Sequence, residues 1–447
     1  MRWAYVNVCT LVVIVGVGLL SGCGGGGGQA LTQTPALPYH AVMFDAQGVA
    51  RFDAQADDVL VVYRTGDLTA WPDHTGATQP SYEPISLAPT GAAQLATRVA
   101  VPVPDAPKSA SPLTGGHVRS PGRRSSRLYM PEVGDTHIFH FGEQDINMEL
   151  RAIGQHCYIW APYTDPPLGT DEQVQFATTE FDRIYPLDVT MFGAPSDVDY
   201  DPRIHVVGVN TGGYASGVFS SDLVRANGLD IITLDLSLLS PGSMPLGGVM
   251  AHELQHDIWW AAKGDGGLVV INEGMADFAY YSSAPNISPV VYQNFLKYPT
   301  GLSLTLSNSQ FMYGGGFSFC TYLHDRFGPA AFKKISGGSP FSGGDNLQNA
   351  TGCTPEKLLV DFSAALLLTG TTTDPRYQIT SFPIRGTMGS ATLPPLGMVP
   401  MDGSVTGQCR SWGFCYGRAT KTGRYTATVA PGKDFHAVLV PGGAKGW

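Results

Sequence analysis

The chain has 447 residues and 43% of them are hydrophobic, which is enough material for two or three domains with a real core. Its 55 glycines and 33 prolines predict many loops and short strands. The net charge is −10 and no basic cluster appears, so the composition argues against a nucleic-acid-binding protein.

Residues 1–22 are predicted to be an export signal. Arg2 is followed by an apolar run, roughly Leu11 to Leu20, which is too short for a comfortable membrane span. The run ends in LSGC, which resembles the bacterial lipobox, and this resemblance implies that Cys23 is lipidated. The predicted location is the bacterial cell envelope, with the chain anchored by its lipid to the outer membrane, in the periplasm or at the surface. An ordinary secretory signal is the alternative.

Five further segments follow along the chain. Residues 23–38 are predicted to be a Gly-rich tether, and residues 39–104 a β-rich domain of short β-branched runs. Residues 105–128 are rich in Pro, Ser and Gly, which is typical of an exposed linker. Residues 129–373 contain both strand and helix patterns, and residues 374–447 return to a β-rich pattern. The predicted fold class is therefore α+β, with a central mixed domain between small β-rich domains.

Four elements of the central segment have clear patterns. Thr170 to Gly193 is predicted to be a helix with acidic residues in its first turn, and Thr354 to Leu368 a helix with a good N-cap. Ile204 to Val209 and Ile231 to Leu236 are predicted to be strands because they are short apolar runs bounded by turn residues.

The cysteines outside the signal suit an exported protein, in which disulfides are allowed. The sequence CRSWGFC favours a small loop closed by a Cys409–Cys415 disulfide, and Cys320–Cys353 is a second predicted pair. Cys157 is then left as a free or buried thiol.

The stretch GVMAHELQHDIWW places three polar residues, His252, Glu253 and His256, in an apolar run. On an α-helix the two histidines lie one turn apart on one face, so both can reach one metal ion. Glu253 lies beside them and can contact a water molecule instead. This HExxH spacing predicts two metal ligands and a general base. Burying the three side chains without a partner would carry a heavy desolvation cost.

A catalytic zinc needs a third protein ligand. The pattern HExxHxxGxxH fails here, because Trp259 and Ala262 stand where its Gly and third His belong. In NEGMADFA, Glu273 and Asp277 are four apart on one face of the next predicted helix. Glu273 can complete the site, and Asp277 can accept the outer N–H of a ligating histidine. Asp265, in KGDGG, is the alternative third ligand.

HExxH followed by NExxxD resembles the gluzincin metallopeptidases, such as thermolysin. AHELQH and INEGMADFA, with VGDTHIFHF and CYIW upstream and YGGGFSFCTYLHDRFG downstream, are similar to hyicolysin-type neutral zinc metallopeptidases. The resemblance covers roughly Met130 to Gly338 and implies a zincin-like catalytic domain.

The resemblance also implies a role for each residue of the two motifs. The implied zinc ligands are His252, His256 and Glu273, with Glu253 as general base and Asp277 behind the ligands. The predicted activity is hydrolysis of peptide or protein substrates by a secreted, lipid-anchored zinc endopeptidase that activates a water molecule. A zinc exopeptidase and a surface adhesion protein with a degenerate zincin domain are the alternatives.

Three weaker patterns complete the sequence analysis. A second oxyanion donor is expected after the ligands, and Tyr313 is the candidate because the three glycines after it would let backbone approach a ligand. A core tyrosine is the alternative, and His324 is a second candidate.

The segment Asp197 to Asp201 has three alternating carboxylates and is a candidate Ca²⁺ site, with a solvated turn as the alternative. The gluzincin resemblance also implies that the substrate lies as an extra strand against a sheet edge, with Thr211 to Phe219 or the strand near Thr233 as that edge.

Overall fold

The computed structural model describes ten ranges of the chain. They are residues 37–66, 83–89, 130–163, 170–210, 216–239, 246–285, 289–305, 310–337, 343–402 and 405–447. The predicted export signal, the lipidated Cys23 and the linker at 105–128 lie outside the described residues. Within the described ranges, no helix combines the length and the apolar character that crossing a membrane requires.

Helices and strands are mixed along the chain. The described helices are α1 Asp171–Phe192, α2 Ser221–Asn227, α3 Leu246–Lys263, α4 Val269–Ser283, α5 Val290–Lys297, α6 Gln310–Ser336, α7 Gly343–Thr351 and α8 Pro355–Leu368. The strands before α3 are β1 His40–Val42, β2 Val49–Ala54, β3 Val59–Arg64, β4 Glu83–Pro89, β5 Thr136–Phe141, β6 Gln144–Ile153, β7 Cys157–Pro162, β8 Ile204–Val209, β9 Gly217–Phe219 and β10 Ile231–Asp235. The strands after α8 are β11 Thr387–Met388, β12 Ala391–Thr392, β13 Val399–Pro400, β14 Val405–Cys409, β15 Gly413–Arg418, β16 Gly423–Val429 and β17 Phe435–Val440.

This arrangement is compatible with the predicted α+β class, and several element predictions are confirmed. The first long helix is capped at Thr170, whose hydroxyl accepts the backbone N–H of Gln173, and it ends at Phe192 with Gly193 as its C-cap. The last long helix begins after its N-cap Thr354. The strand predicted at Ile204 to Val209 has those bounds. β10 ends at Asp235, one residue earlier than predicted.

A six-stranded sheet forms the base of the central unit. Its strand order is β5-β6-β7-β8-β10-β9. β7, β8 and β10 run parallel to one another, whereas β9 pairs antiparallel with β10 and forms one edge. Helix α3 packs against β9 and β10 on one side and against α1 and α4 on others. The sheet edge and the two helices α3 and α4 therefore meet in one region.

Helix α6 packs very closely against α4. A Cβ atom on Gly316 would lie 2.4 Å from the carbonyl oxygen of Val270, and one on Gly274 would lie 2.4 Å from the Gly316 backbone. The neighbouring Gly314 approaches the Val291 carbonyl oxygen of α5 just as closely. The glycines after Tyr313 were expected to let backbone approach a ligand. They serve contact between helices instead.

Strands from both ends of the chain form two further sheets. One has the order β1-β17-β3-β15-β13 and the other β14-β4-β16-β2. The β-rich segments 39–104 and 374–447 were treated separately in the sequence analysis. Their strands instead complete each other's sheets, since β3 lies between β15 and β17, and β2 pairs with β16. A hydrophobic cluster packed within this unit includes Leu60, Val62, Tyr425 and Ala427.

The two predicted disulfides are wrong. Cys320, Cys409 and Cys415 are free thiols, all of them buried. The Cys409 thiol lies 3.4 Å from the Gly413 carbonyl oxygen, to which it donates a hydrogen bond, so packing and strand pairing rather than a covalent bond hold this loop. Cys157 is a free, buried thiol, as predicted.

Candidate metal centre

The HExxH segment lies in the middle of helix α3. Six apolar or small residues precede His252 in the helix, and four of them, among them Val249, Met250 and Ala251, pack into the main core. Helix α4 follows after a short connection and crosses α3, so that Glu273 and Asp277 face the two histidines. Five predicted site residues are thus brought together by two adjacent helices.

The three predicted ligands form a compact triangle. The Nε2 atoms of His252 and His256 are 3.1 Å apart, and each lies 3.5 Å from Oε2 of Glu273. A point equidistant from three such atoms lies about 2.0 Å from each of them, which matches zinc–nitrogen and zinc–oxygen bonds of about 2.0–2.2 Å. The ligand atoms therefore fit one zinc ion without rearrangement.

The three predicted ligand side chains are each partly exposed. Of the ligand side chains, 15% of His252, 12% of His256 and 17% of Glu273 is exposed. A catalytic zinc site needs three protein ligands and one open position, whereas a structural site is closed. The exposure favours the catalytic kind.

The outer nitrogens of both histidines are held by acceptors. Nδ1 of His252 lies 3.2 Å from Oδ1 of Asp277, and Nδ1 of His256 lies 3.1 Å from Oδ1 of Asn272. A carboxylate and an amide oxygen only accept, so each Nδ1 carries the proton and each Nε2 presents a lone pair to the triangle. Two lone pairs and a carboxylate oxygen then point at the same place, which favours a cation there.

The electrostatics of the site agree with a bound cation. Burial alone would raise the pKa of Glu273, but His256 and His252 outweigh it and hold that pKa well below its ordinary value. Burial opposes protonation of His252, yet the neighbouring carboxylates of Asp277 and Glu273 raise its pKa well above the ordinary value. The surrounding carboxylates therefore stabilise positive charge at the triangle.

Glu253 is buried beside the ligands and is held by the sheet edge. Only 5% of the residue is exposed, and its Oε2 accepts the backbone N–H of Phe219 in β9 at 2.7 Å. Burial raises the pKa of its carboxyl, against the opposing effect of His252 and His256. A carboxylate with a raised pKa beside a metal site is suited to proton transfer.

No protein-family model matches this chain, and no curated protein matches it either. The geometry of the site and the motif resemblance are therefore what support a functional proposal.

The alternative third ligand, Asp265, is engaged elsewhere. It accepts hydrogen bonds from Ser221, at 2.6 Å, and from Arg225. Asp265 is also not a member of the group of ligand atoms around the two histidines. This contact pattern removes the reason for assigning it to the metal.

The two candidate oxyanion donors lie on α6. Tyr313 is half-buried and packs against the main core, and its predicted role stays a prediction. His324 has its Nδ1 3.3 Å from Oδ1 of Asp325, and its ring packs against Phe278 and Phe332. These contacts favour a structural role for His324.

The candidate Ca²⁺ site has a different third carboxylate from the one predicted. Asp197 and Asp199 come together with the buried Asp230, with one oxygen from each lying within 4.8 Å of the others. Asp201 instead accepts the Tyr158 hydroxyl at 2.6 Å. Binding of Ca²⁺ by this group stays a prediction.

Two contributions to the candidate metal centre were not predicted from the sequence. Asn272 was seen only as the residue before Glu273, although an amide beside a ligand is a reasonable partner for a second histidine. The contact between Phe219 and Glu253 joins residues 34 positions apart, through an edge strand of three residues. Such a short strand has no periodic pattern that would reveal it.

Proposed function

We propose that the protein is a zinc-dependent endopeptidase with a zincin-like catalytic domain. The observation that carries the proposal is the triangle of His252, His256 and Glu273, with Glu253 buried beside it. The helix-borne HExxH motif, the second helix with the third ligand and the antiparallel edge strand all support a zincin-like arrangement.

Each side chain has a distinct chemical role. A zinc ion held by the three ligands would lower the pKa of a bound water molecule and polarise the substrate carbonyl. Glu253 accepts the proton of the attacking water and delivers it to the leaving amine nitrogen. Asp277 and Asn272 keep the imidazoles in the tautomer that leaves Nε2 unprotonated.

The edge strand β9 suits an extended peptide. β9 is paired with β10 on one side only in the described sheet, and at its other edge the Phe219 N–H donates to Glu253 of α3. An extended peptide can add to such an edge by main-chain hydrogen bonds, which recognise backbone rather than particular side chains. Peptide or protein substrates are therefore the proposed substrate class.

Hydrolysis of casein by the purified mature protein tests the proposal. We expect turnover that a chelator abolishes and zinc restores. In Glu253→Gln we expect retained zinc and a loss of about a thousandfold or more in kcat/KM, because the amide cannot take the proton. Cleavage by Glu253→Gln at the parental rate would show that Glu253 is not the base.

The two alternatives make different predictions for the same preparations. An exopeptidase would leave peptides with blocked termini intact, whereas an endopeptidase would cleave them. An adhesion protein with a degenerate site would show neither stoichiometric zinc nor turnover.

The lipid anchor at Cys23 is also a proposal, and we expect Cys23→Ser to release the protein from the membrane fraction.

A further inference from the structure

The outer side of β9 carries backbone groups that do not pair with β10. The N–H of Asp235 donates to the carbonyl oxygen of Ser216, so alternate residues of this segment face β10. The backbone groups of Gly217 and Phe219 then point to the outer edge. At that edge, the N–H of Phe219 donates to Oε2 of Glu253 at 2.7 Å.

Gly217 leaves the space that the Glu253 side chain occupies. A Cβ atom on Gly217 would lie 2.8 Å from Cγ and 2.9 Å from Oε1 of Glu253. It would also lie 2.7 Å from Cγ1 of Val249, one turn earlier in α3. Contacts this short force neighbouring atoms to move, and the buried Glu253 has little room to do so.

We propose that Gly217 and the backbone amide of Phe219 are positioning groups for the general base. The Phe219 N–H holds Oε2, and the absence of a side chain at Gly217 admits Oε1. The edge strand thereby fixes the carboxylate of Glu253 relative to the metal ligands. This inference rests on the proposed function, because it assigns what aligns Glu253 for proton transfer.

Gly217→Ala tests the inference directly. Misplacing a catalytic group by about an ångström costs on the order of a hundredfold in rate. We expect kcat of Gly217→Ala to fall by about a hundredfold, with KM changed less and one zinc retained per chain. Gly423→Ala is the matched control, since a Cβ there meets nothing within 4 Å. A kcat of Gly217→Ala within about threefold of the parent would overturn the inference.

A double-mutant cycle separates positioning from a general structural effect. If Gly217 acts through Glu253, then Gly217→Ala adds no further loss to Glu253→Gln. The same fold-loss in both backgrounds would instead show that Gly217 acts independently of the base.

A second variant addresses the clash with Val249. If Gly217→Ala folds poorly, Gly217→Ala/Val249→Ala removes that contact and keeps the contact with Glu253. We expect the double variant to fold and still show the lowered kcat. Parental activity in the double variant would place the effect on Val249 and overturn the inference.

Amide hydrogen exchange tests the contact without any activity measurement. We expect the Phe219 amide to exchange about tenfold faster or more in Glu253→Ala, because it loses its acceptor. Unchanged protection in Glu253→Ala would contradict the inference even if the parent protein is a fully active peptidase. Conversely, the protein could lack chelator-sensitive turnover while protection of the Phe219 amide still depends on Glu253. That result would reject the peptidase proposal but leave the contact between Phe219 and Glu253 supported.

Discussion

At the residue scale, both ring nitrogens of each candidate ligand histidine have a partner or face the triangle. The Nε2 atoms face the triangle, and the Nδ1 atoms are held by Asp277 and Asn272. Partners of this kind fix the ring orientation, and their loss costs about 10–100-fold in metal affinity in related sites. We therefore expect the metal affinity to depend on these two residues as well as on the proposed ligands.

Asp277→Ala and Asn272→Ala test that dependence. We expect each variant to bind zinc about 10–100-fold more weakly than the parent in a competition titration with a chromophoric chelator. Asp265→Asn is the control, because Asp265 pairs with Arg225 outside the site. If Asp277→Ala binds zinc as tightly as the parent while Asp265→Asn binds it more weakly, Asp265 would be the third ligand instead.

At the element scale, the position of Glu273 depends on how closely α4 approaches α6. Gly316 and Gly274 allow the two helices to touch through their backbones. Alanine is intrinsically favoured over glycine inside a helix by about 1 kcal/mol. At Gly316 the close approach of the helices disfavours an alanine side chain. The sign of the change in the free energy of unfolding therefore shows whether the clash or the helix propensity is larger.

We expect Gly316→Ala to lower the free energy of unfolding by about 1–3 kcal/mol in a denaturant titration. The added methyl meets the Val270 carbonyl oxygen, and that clash outweighs the gain in helix propensity. A stability equal to or above that of the parent would show that the helices separate at little cost.

At the scale of the whole molecule, one buried carboxylate joins distant parts of the chain. Asp361 on α8 is fully buried and accepts hydrogen bonds from Tyr39 at 2.6 Å, Arg326 at 2.7 Å and Lys357 at 2.8 Å. Tyr39 immediately precedes β1 of the unit formed by both chain ends, and Arg326 lies on α6. Helices α6 and α8 and the segment that leads into this β unit therefore share one ionic centre.

Asp361→Asn is expected to destabilise the protein strongly. Removing one partner of a buried ion pair leaves uncompensated charge, here on Arg326 and Lys357, at a cost of about 3–5 kcal/mol. The exposed pair of Asp53 and Arg424 offers a control, and Asp53→Asn should cost less than about 1 kcal/mol. Similar denaturation midpoints for the two variants would contradict this role of Asp361.

What the sequence could predict was local. The cap at Thr170 and the spacing of His252 and His256 depend on residues within one or two helical turns, so they are readable from the chain. Glu273 also lies close in sequence, on the next helix. For these residues, the predicted elements alone were enough to assemble the candidate site.

What the sequence could not predict depends on contacts across long separations. Pairing of β2 with β16 joins residues near both chain ends, and no periodicity within either strand identifies the other as partner. The same limit explains why Asp201 was assigned to the carboxylate cluster instead of Asp230, which comes from a separate segment. It also explains why Gly217 was not connected with Glu253.

Metal content of the purified protein tests the central claim most directly. By elemental analysis we expect one zinc per chain in the parent and none after Glu273→Ala, because two imidazoles alone hold zinc weakly. Gly423→Ala, which alters a position with open space around it, should keep its zinc. Stoichiometric zinc in Glu273→Ala, or a parent that binds no zinc when the metal is supplied, would contradict the assignment of the metal centre.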